Sequence, residues 1–414
     1  MSSKSTEAYY FERYAEPPII PTSWQPPADT SIGIVLPSFN ELDTHKAIQC
    51  LISCKQIIGH VIILVIINHA QDASARIKET NLMTKQQLEE LSIPDRFTLH
   101  TKLIELPNKK AGVGLARKIG MDQVARWFQQ LNKNGPIVCF DADSTCSSNY
   151  LQEIEKAYYK RKADAAIISY EHPLDPLSGI ITYELHLRYY VNALRFVGFP
   201  NAFQTLGSCI TVSAQAYVNS GGMNTRKAGE DFYFLHKIAK TVQIEELADC
   251  FVYPSDRLSD RVPFGTGKAL ADFRKKGKLL TYPMSIFQEL EQYFSARRRH
   301  QTGTSDTIPD SLSHFEELHD FQSRLIQIKT QSKTEAQYIQ RLFEWWDGFK
   351  ILKYVHYRRD QGVNMISVVE AIHALNQVYW KHKDLPHDET ELLKRLREID
   401  INYSRSNKFL IPEG

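Results

Sequence analysis

The sequence has little of several features that would place it in a special class of protein. Its six cysteines are scattered, and Cys50 and Cys54 lie one helical turn apart without a second pair to complete a zinc site. The longest purely aliphatic run, residues 61–67, is far shorter than the ~20 residues that span a bilayer. Residues 1–18 are polar and lack the apolar core of a secretory signal. We therefore expect a cytoplasmic protein with reduced cysteines.

The chain also has almost no excess charge. Fifty Lys and Arg against 48 Asp and Glu leave a net charge of +2, which gives no global reason to expect binding to nucleic acid. Nineteen glycines and 18 prolines in 414 residues exclude a collagen-like or linker-dominated chain. With 43% hydrophobic and 24% charged residues, the composition is typical of a soluble globular protein of about two to three domains.

Short apolar segments alternate with longer amphipathic ones from residue 31 onward. The predicted strands are 32–36, 61–67, 98–106, 137–140 and 165–169, and the predicted helices between or after them are 44–58, 84–91, 114–131, 148–161 and 183–196. Strands that are apolar on both faces and separated by helices indicate an α/β fold, with a mainly parallel sheet covered on both faces.

Three domain-scale regions follow from this pattern. Residues 1–30 contain five prolines and are predicted to be an irregular lead-in, and residues 31–265 form the α/β domain. Residues 266–414 form a helical region, because segments 268–301, 312–329, 334–355 and 367–381 have apolar residues at spacings of three and four.

Polar clusters follow the predicted strands, at the edge where ligands bind to sheets of this kind. Residues 37–41 follow the first strand, residues 68–72 the second, and Asp141 and Asp143 the fourth. An Asp-x-Asp triplet arises about once by chance in a chain of this size, so its position matters more than its presence. Alternate residues at a strand end point the same way, so both carboxylates could face a divalent ion held mostly by phosphates. The alternative is a turn in which an aspartate caps the next helix.

A second acidic pair follows a glycine-rich turn. Gly221 and Gly222 permit a tight turn, and Glu230 and Asp231 then precede a predicted helix over residues 232–240. Carboxylates at a helix N-terminus can simply be capping groups. In an enzyme, one of them could act as the general base that deprotonates an acceptor hydroxyl.

Two further clusters combine glycines with cations. Gly112 and Gly114 precede a helix that carries Arg117, an arrangement that suits a phosphate but lacks the third glycine of a dinucleotide-binding fingerprint. Arg257 and Arg261, followed by a glycine pair, could clamp a diphosphate. Equally, these two arginines could pair with their neighbouring aspartates.

In this order, the clusters over residues 31–267 resemble those of the family 2 glycosyltransferases, which have the GT-A fold. The resemblance is to the soluble, bacterial-type members of that family. Residues 37–41 are similar to the first nucleotide-binding loop of that family, and residues 112–118 to its Gly-rich helix start, with Lys118 where asparagine is usual. Residues 140–143 resemble its metal and donor motif. Residues 221–222 with Glu230 and Asp231 resemble its acceptor-side motif.

The resemblance implies an inverting transfer from a nucleotide-diphosphate sugar to a hydroxyl acceptor, a saccharide or a lipid-linked molecule. Asp143, supported by Asp141, would bind Mg²⁺ or Mn²⁺, Asp231 would be the base, and Glu230 would orient the acceptor or its loop. The residues that the resemblance assigns to the donor are Pro37, Ser38, Asn40, Glu41, Asn68, Gly112, Arg117, Asp141, Arg257 and Arg261. The sequence departs from the family where acidic residues usually end the second strand, because residues 68–70 are Asn-His-Ala.

Two other functions compete with this interpretation. A sugar-1-phosphate nucleotidyltransferase would need an arginine and a lysine in its first Gly-rich loop, and residues 37–41 contain neither. A non-catalytic sugar-nucleotide-binding scaffold would bind the donor without turnover. Residues 273–278 and 297–300 are rich in basic side chains. These side chains either lie on solvated helix faces or contact the inner face of an anionic membrane peripherally. The sequence predicts no particular oligomeric state.

Overall fold

The computed structural model describes residues 6–257, 265–299 and 308–407. The chain divides into two compact units. Unit 1 comprises Met1–Pro173, Thr205–Lys268 and Ile399–Gly414, and unit 2 comprises Leu174–Gln204 and Ala269–Glu398. The two units are therefore not separated by the single boundary expected at residue 265. Leu174–Gln204 groups with the later helices, and Ile399–Gly414 groups with the sheet.

Unit 1 contains a mixed sheet of eight strands among its described residues. The strands are β1 Thr30–Ser38, β2 His60–Ala70, β3 Phe97–Leu106, β4 Pro136–Cys139, β5 Thr145–Cys146, β6 Ala165–Tyr170, β7 Ile210–Ser213 and β8 Ile244–Tyr253. Their order is β3-β2-β1-β4-β7-β6-β8-β5. Neighbours pair in parallel except where β7 and β5 take part, so the sheet is mostly parallel, as predicted.

The centre of this sheet is covered on both faces. All of β1, and all of β2 except Ala70, is buried, which is the pattern that its Val and Ile content predicts for a parallel sheet between helices. All five predicted strands are present with ends shifted by a few residues. The sequence pattern did not reveal β5, β7 or β8, of which the first two are only two and four residues long.

The helices of unit 1 connect and cover these strands. They are α1 Thr6–Arg13, α2 Thr44–Ile52, α3 Ala75–Glu89, α4 Val113–Gln130, α5 Tyr150–Glu155, α7 Ala214–Asn219 and α8 Glu230–Ile238. The predicted helix over 44–58 ends at residue 52, and the one over 148–161 becomes α5 followed by a π-helical turn, Lys156–Lys160.

The N-terminal segment is more ordered than its prolines suggested. Residues 6–13 form α1, whose buried Tyr10 hydroxyl donates a hydrogen bond to Asp122 Oδ1 at 2.6 Å. The backbone N–H of Glu16 donates to the other oxygen of Asp122 at 2.8 Å, and Lys118 lies 3.0 Å from the same carboxylate. This region therefore contributes partners to buried charges on α4, and Lys118 is one of those charges.

Among its described residues, unit 2 is helical with one small strand pair. Its helices are α6 Ile180–Val197, α10 Met284–Arg299, α11 Asp310–Leu318, α12 Phe321–Gln331, α13 Glu335–Trp345, α14 Gly348–Asp360 and α15 Val368–Val378. Along the chain, α9 Thr266–Lys276 and α16 Glu389–Asn407 each cross a boundary between the units. Leu280–Thr281 pairs antiparallel with Ile366–Ser367.

Three of the long predicted helices are interrupted. The segment predicted over 268–301 breaks at Gly277, whose φ of +66° is left-handed, and the one over 312–329 breaks at Asp320 with φ of +48°. The segment over 334–355 breaks after the buried Trp346, where the Asp347 side chain accepts a hydrogen bond from the N–H of Lys350 and starts α14.

One of the two basic segments is partly internal to unit 2. Arg297 is 6% exposed and forms an ion pair with Glu316 at 2.5 Å, so it is not part of a solvated basic face. Arg274, Lys275 and Lys276 are exposed. In the part of the chain that the structure describes, no helix is long and apolar enough to cross a membrane.

Candidate active site

The predicted nucleotide-binding loop lies at the carboxyl ends of β1 and β2, within unit 1. The Asn68 side chain donates to the carbonyl oxygen of Ser38 at 3.0 Å. Asn81 of α3 donates to the carbonyl of Asn68 at 2.9 Å and accepts the backbone N–H of Asn40 at 2.9 Å. Asn40 has a φ of +50°, a conformation that asparagine tolerates better than most residues. Pro37, earlier in β1, is buried opposite Ile66 of β2.

Asp141 and Asp143 lie in a turn after β4 and engage different arginines. The strand ends at Cys139, and the N–H of Ser144 donates to the carbonyl of Asp141 at 3.1 Å. The rule that alternate residues point the same way therefore does not apply to this pair. Asp141 contacts Arg117 at 2.5 Å, whereas Asp143 accepts a hydrogen bond from Arg257 at 3.1 Å.

Arg117 forms a buried bridge between two of the predicted site motifs. Its side chain is 2% exposed, and its guanidinium pairs with Asp141 and with Glu230 of α8. Burial by itself lowers the pKa of Arg117, but the charges of Asp141 and Glu230 outweigh burial and raise that pKa. For Glu230 the balance is different, because burial raises its pKa despite the nearby Arg117. The donor-side and acceptor-side motifs thus share one buried cation.

Asp231 is a carboxyl group of this cluster whose pKa is raised to near neutrality. Burial, followed by the charge of Glu230, raises the pKa of Asp231 to about 7. Its Oδ1 accepts the backbone N–H of Phe232 at 2.7 Å, and Gly229, with a φ of +69°, precedes it at the start of α8. A carboxyl group with a pKa near neutrality can take up a proton from a substrate at physiological pH.

A cleft beside the Asp141–Asp143 turn contains charges of both signs. The Arg257 guanidinium pairs with Glu41 and with Asp143, rather than with its sequence neighbour Asp256 as the alternative required. The residues that line the cleft are Glu41, Asp43, Lys46, Ala47, Ala142, Asp143, Ser144, Thr145, Ser255 and Arg257. Arg261, the second predicted clamp residue, lies outside the described residues.

Gly112, just before α4, and Gly114, in the first turn of α4, have a packing role in this structure. A Cβ built on Gly114 would lie 2.2 Å from the carbonyl oxygen of Arg226, and one built on Gly112 would lie 3.0 Å from the Cα of Lys227. These positions therefore need glycine because the loop before α8 approaches their backbone closely. That explanation is sufficient without a phosphate, so donor binding by Gly112 stays a prediction.

A divalent cation fits Asp143 better than it fits Asp141. Both carboxylates pair with an arginine, but Arg117, the partner of Asp141, is buried, whereas Asp143 and its partner Arg257 are partly exposed and line the cleft. Among the residues that the structure describes, no group of three or more His, Cys, Asp or Glu side chains is arranged to hold a metal ion. Mg²⁺ commonly uses only one or two protein carboxylates, with substrate phosphates and water as its other ligands. The donor set at the cleft therefore suits a metal that arrives with a diphosphate.

Sequence reasoning missed several residues that shape this site. Asn81 lies inside a helix and is fully buried, which is unusual for an asparagine and could have identified it as a hydrogen-bonding centre. Lys46 and Asp43 form an ion pair of 3.0 Å on the cleft wall, directly after the predicted loop. Ser255, like Arg257, is separated by more than 100 residues from the other cleft residues, so only the fold could reveal its place in the cleft.

Comparisons with known proteins leave the family open. No family model matches the sequence, and no curated protein matches it. The chain is similar to S. aureus TarS residues 1–349 in complex with UDP-GlcNAc, with a TM-score of 0.41 and 12% identity over 91% of this chain and 92% of that chain. Against S. aureus TarS 1–349 alone, the TM-score is 0.38 and the identity 12%, over 92% of this chain and 93% of that chain. Likeness at this level identifies neither the family nor the substrate of this chain.

Proposed function

We propose that this chain is an inverting, family 2-type glycosyltransferase that moves a sugar from a nucleotide-diphosphate sugar to a hydroxyl group. The observation that carries the proposal is the turn at Asp141 and Asp143. One carboxylate of this turn lines a charged cleft with Arg257, and the other is joined through Arg117 to Glu230, next to Asp231. A donor site and a base site that share one turn are what a single displacement at a sugar carbon requires.

The cleft supplies the groups that a diphosphate needs. Arg257 and Lys46 are cations on its wall, and a planar guanidinium can contact two phosphate oxygens at once. Arg257 would exchange its pairs with Glu41 and Asp143 for the diphosphate. Mg²⁺ or Mn²⁺, when bound, would neutralise the leaving diphosphate, with Asp143 as its protein ligand.

Asp231 would accept the proton of the acceptor hydroxyl as that oxygen attacks the anomeric carbon. Its pKa of about 7 is close to the optimum for a general base at neutral pH. The same property disfavours a sugar-1-phosphate nucleotidyltransferase, because the attacking phosphate of that reaction is already ionised and needs no base. The proposal specifies the acceptor only as a molecule with a hydroxyl group, which is either a saccharide or a lipid-linked molecule.

A thermal-shift experiment with UDP, GDP, CDP and dTDP and their sugars, with and without Mn²⁺, tests the donor site. A ligand at 100 times its Kd stabilises the folded state by about 2.7 kcal/mol, which is a clear rise in Tm. We expect one nucleotide class to raise the Tm in a Mn²⁺-dependent way. Asp143→Asn should lose this rise, because the variant removes the carboxylate charge that faces the cleft.

Asp95→Asn is the matched control, since Asp95 is exposed on a loop outside the cleft. It should keep the full rise in Tm. A chain that responds to none of the nucleotides contradicts a donor site at this cleft. Donor binding with no transfer to any saccharide or lipid-linked hydroxyl would instead favour the non-catalytic scaffold.

A further inference from the structure

Three of the six cysteines, far apart in sequence, meet between α2 and β5 of unit 1. Cys50 lies in α2, Cys54 lies two residues beyond its end, and Cys146 is the last residue of β5. The Sγ of Cys146 lies 3.6 Å from the Sγ of Cys50 and 3.8 Å from the Sγ of Cys54. Both distances are van der Waals contacts, so the sulfur atoms of either pair already touch, as they must before the ~2.05 Å bond of a disulfide can form.

The three thiols differ in their exposure to solvent and in their pKa, as expected for a reactive thiol beside a second, less accessible one. Cys50 and Cys54 are partly exposed, whereas Cys146 is buried beneath them. The backbone N–H of Cys146 donates to the Cys50 sulfur at 3.1 Å. Hydrogen bonds from the Cys146 thiol and then from that N–H lower the pKa of Cys50 to about 6, and the pKa of Cys54 is lowered as well. An accessible thiolate next to a second thiol is the arrangement of oxidation-sensitive cysteines.

The remaining cysteines differ from Cys50 and Cys54 in their exposure to solvent. Cys139, Cys209 and Cys250 are buried, and burial raises the pKa of Cys139 to about 12. The cluster is also not arranged as a metal site, because no group of three or more potential ligands in the described ranges could hold an ion. Thiol chemistry is therefore the property that distinguishes these three cysteines.

We propose that Cys50, Cys54 and Cys146 form a reversible thiol–disulfide site that responds to a peroxide. In the first step, the thiolate of Cys50 or Cys54 attacks hydrogen peroxide, the O–O bond breaks, and a sulfenic acid and hydroxide result. The hydroxide takes up the proton that the thiol released on ionisation and becomes water. In the second step, the sulfur of Cys146 attacks the sulfenic sulfur, and the disulfide forms with loss of a second water. The peroxide receives the two electrons that the two thiols lose. A dithiol reductant reverses the reaction.

The disulfide would join two walls of the cleft described above. The helix α2 carries Lys46 and Ala47 of the cleft, and Thr145 precedes Cys146 in β5. Either bond, Cys50 to Cys146 or Cys54 to Cys146, fixes the end of α2 to the segment that follows Asp143. The chemistry of the site does not depend on the function proposed for the cleft.

Peptide mapping after mild peroxide treatment of the full chain tests the site directly. Trypsin places Cys50 and Cys54 on peptide 47–55, and Cys146 on peptide 134–156. We expect two of the six thiols to be lost and a disulfide to link these two peptides. Fragmentation of the linked peptides by mass spectrometry should locate the bond at Cys146. Dithiothreitol should restore all six thiols.

The variants separate this site from non-specific oxidation. Cys146→Ser should form no cross-link between the two peptides, and neither should the double variant Cys50→Ser/Cys54→Ser, which changes only partly exposed positions. Each single variant, Cys50→Ser or Cys54→Ser, should still form the cross-link through its remaining partner. Cys209→Ala, which removes a buried cysteine outside the cluster, should behave as the unmodified chain. Retention of all six thiols, or a cross-link that survives in the double variant, would overturn the proposal.

Discussion

Arg117→Met is expected to lower the free energy of unfolding by about 3–5 kcal/mol, the range found when one partner of a buried ion pair is removed. The guanidinium pairs with both Asp141 and Glu230, so its loss leaves two carboxylates without their cation, and Glu230 is almost fully buried. Little space exists for rearrangement, because a Cβ built on Gly207 would already lie 2.7 Å from the guanidinium. Chemical denaturation of both proteins at pH 7 measures the difference.

Two controls separate the buried bridge from the loss of any arginine. Arg161 pairs with Glu245 at 3.1 Å with both side chains partly exposed, so Arg161→Met should cost only about 0–1 kcal/mol. Adding Glu230→Gln to Arg117→Met removes one of the two stranded charges and should recover part of the stability. Equal losses for Arg117→Met and Arg161→Met would show that the bridge contributes nothing beyond an exposed pair.

The Arg117 bridge also illustrates what the sequence could reveal. Helical periodicity and the resemblance placed Arg117, Glu230 and Asp141 in one site, and the structure brings these three together. The sequence did not predict which of these charged side chains would form ion pairs with each other. Asp141 and Asp143 were expected to act as a pair, yet β4 ends at Cys139, so a turn directs them to two different arginines that are far apart in the sequence.

The strands and helices show the same limit. The long buried strands β1 and β2 have a continuous apolar pattern that depends only on local sequence, so their prediction succeeded. The short strands β5 and β7 exist because they pair with β8, β4 and β6, and no local pattern in two or four residues encodes such pairing. The cluster of Cys50, Cys54 and Cys146 was missed for the same reason, since Cys146 lies 92 residues after Cys54 in the sequence.

Asp231→Asn is expected to lower kcat by about 10²–10⁴-fold while donor binding persists, the usual contribution of a general base. The amide preserves the shape of the carboxylate and its acceptor for the Phe232 N–H, so the loss reports on proton transfer. Transfer assays with the nucleotide sugar that the thermal-shift experiment selects, and with a saccharide or lipid-linked hydroxyl acceptor, measure kcat, and the nucleotide thermal shift measures binding. Asp95→Asn serves again as the exposed control. Unchanged turnover in Asp231→Asn would remove Asp231 as the base.

The pH dependence gives a sharper test of the same assignment. Asp231 acts as a base only when ionised, and its pKa of about 7 means that kcat/KM should fall about tenfold per pH unit below neutrality. The charge of Glu230 contributes to that raised pKa, so Glu230→Gln should move the acidic limb to lower pH. A limb that does not move in Glu230→Gln would assign the titration to another group.

The raised pKa of Asp231 also predicts a stability effect that needs no substrate. A carboxyl group whose pKa is higher in the folded protein than its ordinary 3.8 binds its proton more tightly when folded, so its ionisation opposes folding. This cost is absent below pH 4, grows between about pH 4 and 7, and is complete above pH 7. Asp231→Asn removes it, so the variant should be more stable than the unmodified chain at pH 8, with the difference shrinking as the pH falls to 4. Chemical denaturation at both pH values measures this, and a variant that is less stable at pH 8 would contradict the raised pKa. A gain in stability coupled to a loss of turnover is expected of a group that is retained for catalysis at a cost to the fold.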